Sequence, residues 1–354
     1  GVATSTVGSR VPLPQDDVRF DAGSFSSSGK TVTLDMPRAG KNIDWTGTTN
    51  TPAWAKTTAT TIYGSVTMIA GMTNSGTTNF TMEGRSPFTW TSAGQTWTNG
   101  LAISMVGGTL TLQDSLISSD TSQSINLTNG TFNANNFNVT TANMRINGSL
   151  TRTLTMGSGT WTITGNGSNY WNAGTVTNLT FNPNTSTIVL SNTTTASKTF
   201  TGGGLTYNNV TFSGDNITVT GNNTFNTIAL NNAGLGIGLR LTAGTTQNVN
   251  NFTSNGSVGS LTAASSTSAS VATIHKFGGG TIYLDYVNID YIVGSPANTW
   301  YMGANSTDGG HNTQLIFTGC PGAPTPNTGA RTTSGPANEK VWGGFKIRGG
   351  VKFR

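Results

Sequence analysis

The chain has 354 residues, and Thr, Asn, Ser and Gly together make up more than half of them, while charged residues make up only 9%. So few strong helix formers exclude a helical protein, and the 8% aromatic content with regularly spaced Val, Ile, Leu and Phe excludes a disordered one. Net charge is +5, but within 331–354 Arg331, Lys340, Lys346, Arg348, Lys352 and Arg354 face only Glu339. The stretch 1–330 is neutral, which excludes a nucleic-acid-binding body and makes the basic character a property of the tail.

Residues 1–20 contain Val11-Pro12-Leu13-Pro14 and read as an ordered cap leading into the first coil. From residue 21 to 318 the pattern is strict alternation in short runs. Thr31-Val32-Thr33-Leu34, Gly108-Thr109-Leu110-Thr111-Leu112, Thr160-Trp161-Thr162-Ile163, Asn178-Leu179-Thr180-Phe181 and Asn216-Ile217-Thr218-Val219-Thr220 are examples. A period of two puts the large apolar residues on one face and Thr on the other, the pattern of a half-buried strand. Thr suits the outer face because it is β-branched and its hydroxyl meets water. Asn99-Gly100, Asn129-Gly130, Asn147-Gly148 and Asn255-Gly256 mark turns, where both residue types tolerate positive φ.

These strands recur without a helical interruption and show degenerate self-similarity. Residues 178–192 align with 209–223 at an offset of 31, and 205–212 with 223–230 at an offset near 18. Strand-and-turn units of that length predict the coils of a right-handed parallel β-helix, an all-β solenoid in which each coil buries its apolar face only against its neighbours. A β-sandwich array is the competing architecture. With about 12–15 coils spaced ~4.8 Å apart, the solenoid is expected to form a rod on the order of 60–70 Å long. Asn at corners, such as Asn133, Asn135, Asn222, Asn223 and Asn232, is expected to bond backbone from coil to coil.

Residues 319–340 are rich in Pro, Gly and Thr and read as an extended linker. Beyond it, Phe345, Ile347, Val351 and Phe353 alternate with Lys346, Arg348, Lys352 and Arg354. That is the pattern of one two-faced strand over 341–354. It is expected to dock on a partner by adding to an exposed sheet edge, with Trp342 as a further contact. The single Cys320 leaves no intramolecular disulfide, which fits assembly in a reducing cytoplasm. No apolar run reaches the roughly 18 residues of a membrane span, and no signal-peptide pattern opens the chain, which begins at Gly1 and is expected to follow an upstream segment either processed away or left out of the sequence.

The search for chemistry yields no catalytic, cofactor or metal residue. No G-x-S-x-G elbow occurs, and Gly29-Lys30-Thr31 has Ser24 where a P-loop needs Gly. Two His residues cannot build a three-His zinc site, and His311 with Asp308 reads as a Gly-rich Asx turn. Polysaccharide cleavage would need paired carboxylates on one surface. Asp16 and Asp17 are adjacent, and Asp285 and Asp290 are an odd number apart, so regular strands send each pair to opposite faces. Asp114 and Asp120 could converge on neighbouring coils. The eight Trp residues read chiefly as filling and capping the coils, with sugar stacking as the alternative.

Taken together, the stretches VPLPQDDVRFDAGSFSSSGKTVTLD, NIDWTGTTNTP, GGLTYNNVTFSG, NTFNTIAL, TAGTTQ and TWYMGANSTDGGHNT resemble a Thr/Gly-rich β-helical family of virion-associated proteins from tailed phages and metagenomes. The resemblance runs from about residue 11 to 318 and leaves out the basic tail. It implies a non-enzymatic fibre, spike or decoration protein on the virion surface, assembled in the host cytoplasm and bound to capsid or tail proteins through that tail. A homo-oligomer and a host surface glycan are further partners consistent with it; from charge and apolar run length, no nucleic acid and no membrane span are expected. The alternatives are a carbohydrate-binding or depolymerising tailspike and an extracellular adhesin or filament subunit on a cell surface.

Overall fold

A computed structural model describes residues 12–319 except 77, 120–123, 168 and 169, together with the short strands Val341–Trp342 and Phe345–Lys346. Residues 12–319 and the C-terminal segment form separate units. The first unit is all-β, without a helix among the described residues, and winds through about 13 turns of a solenoid. Every ladder between its described strands is parallel, so each strand pairs with the equivalent strand one turn away; this excludes the sandwich array.

Each turn contributes strands to three faces. The first face carries Val18–Arg19, Ile43–Asp44, Val66–Thr67 and Pro87–Thr91, and continues through 109–112, 130–133, Arg152–Thr155 and Leu179–Asn182. The second runs from Thr31–Leu34, Ala53–Lys56 and Thr73–Gly76 and resumes as a ladder through Thr160–Ile163, Thr187–Leu190 and 209–212. The third runs from Thr60–Ile62 and Phe80–Met82 through Lys198–Thr201 and Ile217–Thr220 to Thr262–Ser266 and Val287–Asp290. Leu101–Leu112 and Ser124–Asn133 bend round a corner and join the third face to the first, with a register break at Ser104. Gly makes that corner possible. At Gly130, with φ of 81°, a Cβ would lie 2.0 Å from the Met105 carbonyl oxygen.

The alternation seen in the sequence becomes columns that run along the rod. On the first face Phe88, Leu110, Phe132, Leu154 and Phe181 stack inward, while Thr109, Thr131, Thr153 and Thr180 stack outward in the adjacent column. Tryptophan fills the interior: Trp45, Trp54, Trp90, Trp97, Trp161, Trp171 and Trp300 are all buried. Trp171 is packed among Phe200 and Tyr207, donates from Nε1 to the Tyr207 hydroxyl at 3.1 Å, and that hydroxyl donates to the Gly202 carbonyl. Burial pushes the Tyr207 hydroxyl's pKa far above its ordinary value. Fully burying one such side chain stabilises the fold by about 1.5–3 kcal/mol.

The length of a turn is irregular: Asn209 lies opposite Thr227, whereas Trp171 lies opposite the much more distant Phe200. The self-similarity at 18 is the true register, with Thr206 opposite Thr224 and Phe212 opposite Leu230. The alignment at 31 is not. It relates Leu179–Asn182 on the first face to 209–212 on the second, one turn and one corner further on. Corner asparagines do bridge coils: Asn232 donates to the Ala263 carbonyl and accepts from the Ala263 amide on the next coil, in a buried setting.

Candidate functional site

Chemistry would fall first to the carboxylates, and Asp114, Asp215, Asp285 and Asp290 are engaged in corner hydrogen bonds. Asp114 accepts from the Ser92 amide and hydroxyl and from the Ala93 amide, one coil below. Asp215, buried, accepts from the amides of Asn216, Ile237 and Gly238. Asp285, just before the strand Val287–Asp290, and Asp290, its last residue, repeat one device. Each accepts from the amide of the following tyrosine, and Tyr286 and Tyr291 adopt φ of 56° and 55°. Asp285 then reaches Asn305, and Asp290 reaches His311, one coil away. Asp17 accepts from Asn42 Nδ2. Asp120 lies outside the described residues.

His311 therefore partners Asp290 rather than Asp308. Its Nδ1 is 2.9 Å from the Asp290 carboxylate and its ring stacks on Tyr291 at 4.1 Å between centroids and 5° between planes. Asp308 makes the expected Asx turn, accepting from the Gly310 amide, and also accepts from Asn312 Nδ2. No group of three or more His, Cys, Asp or Glu is placed to hold a metal among the described residues.

Two arrangements escaped the linear reading. His275 and Ser295 are register partners on adjacent coils, and His275 Nδ1 lies 3.0 Å from Ser295 Oγ. Lys56 is the other. Trp54 and Lys56 both point inward from Ala53–Lys56, as residues two apart on a strand must. The Lys56 ammonium has no hydrogen-bond partner and sits 3.7 Å from the Trp97 ring centroid and 5.3 Å from that of Phe80. Desolvation pulls its pKa down to about 8. The sequence signal was present in the alternation Ala-Trp-Ala-Lys.

Three other buried cations, Arg152, Lys198 and Lys276, are hydrogen-bonded to backbone carbonyls, Lys276 to those of Asn250 and Phe277. Arg152 donates to the carbonyls of Ile146, Leu150, Thr175 and Thr177, pinning two loops. Lys198 donates to the carbonyls of Thr194 and Ala196; burial lowers its pKa, and Asp215 opposes that shift.

In the tail, Val341–Trp342 and Phe345–Lys346 pair antiparallel, with Trp342 opposite Phe345 and Val341 opposite Lys346. The chain thus reverses where one continuous strand over 341–354 was expected. Of the expected docking residues, Ile347, Arg348, Val351, Lys352, Phe353 and Arg354 lie outside the described residues, as do Cys320 and the linker to residue 340. Among the described residues no helix is long and apolar enough to cross a membrane. Compared with protein-family models, curated proteins and solved structures, the chain matches none of them.

Proposed function

We propose that the protein is a non-enzymatic structural component of a phage-like virion, a fibre, spike or decoration whose solenoid is a stiff exposed rod fastened through its basic tail to capsid or tail proteins. The observation that carries this reading is the ladder itself. Parallel pairing continues over about 13 turns around an aromatic core, and its outward columns are largely Thr and Asn. Such a rod resists bending because deformation must break many backbone bonds together, and its uncharged hydroxyl surface presents little to non-specific partners. The engagement of Asp114, Asp215, Asp285 and Asp290 in corner bonds supports a structural role for these groups.

The test follows the tagged chain through particle purification, with and without residues 341–354. The full chain is expected to co-purify with particles, and the truncated chain is expected to fold and be left behind. Full incorporation of the truncated chain would defeat the anchoring role. Absence of the full chain from particles would defeat the virion reading, and release of reducing or unsaturated sugars from host glycan would favour the depolymerising tailspike.

A further inference from the structure

The sequence holds five Asn-Gly pairs, at Asn99-Gly100, Asn129-Gly130, Asn147-Gly148, Asn166-Gly167 and Asn255-Gly256. An asparagine side-chain amide is open to attack by the backbone nitrogen of the next residue, and Gly offers that nitrogen without a Cβ in the way. Folding decides which of the five can react. A nitrogen whose hydrogen is already bonded must first lose that bond and turn toward its own side-chain neighbour.

Three pairs are held. The Gly100 amide donates to Asn79 Oδ1 at 3.0 Å, and Asn99 is buried with its Nδ2 on the Gly76 carbonyl. The Gly130 amide donates to the Thr151 carbonyl of the next coil at 3.0 Å. The Gly256 amide donates to Ser254 Oγ, and a Cβ on Gly256 would lie 2.1 Å from the Tyr286 carbonyl oxygen, so the backbone there is wedged against the next coil. The other two pairs stand apart. Asn147 and Asn166 are exposed, in the corners that follow Asn143–Arg145 and Thr160–Ile163. Among the described residues, neither their side chains nor the amides of Gly148 and Gly167 make a hydrogen bond. Beyond its chain neighbours, no atom lies within 4 Å of the position a Cβ would take on Gly167; for Gly148 the nearest is Arg152 Cζ at 3.9 Å.

We propose that Asn147 and Asn166 are sites of spontaneous succinimide formation and deamidation, and that the fold protects Asn99, Asn129 and Asn255. In the first step a solvent base takes the proton of the Gly148 or Gly167 amide, and the nitrogen attacks Cγ of the preceding asparagine. The N–Cγ bond forms, the Cγ–Nδ2 bond breaks, and Nδ2 leaves as ammonia, its extra proton returned from solvent. Water then opens the ring: addition at Cγ gives aspartate, and addition at the backbone carbonyl gives isoaspartate. One water is consumed, one ammonia is released, and nothing is oxidised or reduced. Each event puts a carboxylate on the surface of a stretch, 121–284, whose sole acidic residue is the buried Asp215. The rod's neutral exterior thus gains negative charge with age, at two places set by the corner hydrogen bonds. The inference does not depend on the virion reading.

The experiment holds the full chain in mildly alkaline buffer, folded or unfolded in urea, and follows each asparagine by peptide mass spectrometry with enzymatic methylation of isoaspartate. In urea all five pairs are expected to convert at similar rates. In the folded chain Asn147 and Asn166 are expected to convert roughly tenfold faster, or more, than Asn99, Asn129 and Asn255, and to speed up as pH rises. Asn147→Gln with Asn166→Gln is expected to keep the melting temperature and to remove the acidic species from ion-exchange profiles of aged folded protein. The proposal is overturned if either Asn147 or Asn166 converts no faster than the other three in the folded chain, or if the folded and unfolded chains show the same pattern. It is also overturned if the double variant accumulates acidic species at the wild-type rate. Retention on particles is expected to be the same for wild type and double variant, which separates this outcome from the anchoring test.

Discussion

Replacing Lys56 with Met should stabilise the N-terminal coils at neutral pH. The amine is buried without a hydrogen-bond partner, its pKa lowered from 10.5 to about 8 by desolvation. At about 1.4 kcal/mol per pKa unit, holding it protonated in the fold costs about 3 kcal/mol. The Trp97 face beneath it offsets about 1–2 kcal/mol of that cost. Met has a similar length and can keep the contacts with Trp97 and Phe80 without the charge, so the variant should gain about 1–2 kcal/mol at pH 7. The sign of the pH dependence follows from linkage. Between pH 8 and 10.5 the unfolded chain carries a proton on Lys56 that the folded chain sheds, so wild-type stability rises with pH through that window. Below pH 8 both states are protonated and the full cost is present. The advantage of the Met variant is therefore constant up to about pH 8 and shrinks as pH approaches 10.5. Hydrogen exchange of peptides covering 53–76, compared between the two proteins at each pH, reads this locally, as a repeat rod that need not unfold in one step requires. A Met variant that is less protected at pH 7, or a difference that does not shrink toward pH 10.5, would refute the reasoning.

Two further perturbations address the corners. Gly130→Ala places a Cβ 2.0 Å from the Met105 carbonyl at a positive φ, and should cost about 3 kcal/mol or more, seen as a lower melting temperature with exchange opening first around 101–133. Arg152→Met leaves the carbonyls of Ile146, Leu150, Thr175 and Thr177 without their charged donor. It should destabilise by about 2–4 kcal/mol, with cleavage by a non-specific protease appearing at 146–151 and 175–178. Unchanged proteolysis there would show that Arg152 does not hold these loops.

Much of the architecture was legible in order along the chain because the side-chain period of a strand is a local property. Thr160-Trp161-Thr162-Ile163 declares its inward and outward faces without reference to any neighbour, and the structure buries Trp161 and Ile163 as that alternation requires. The same rule, applied to Ala53–Lys56, would have located the buried amine. What no local rule contains is which residues meet across coils. Offsets wander from one turn to the next as corner loops lengthen and shorten. His275 therefore meets Ser295, Asp290 meets His311 and Tyr283 meets Tyr301 at separations that no fixed period announces. Alternation along the sequence determined the face each side chain takes. The stacking register, set by the summed lengths of the loops between strands, decided its neighbours, and only the tertiary structure shows it.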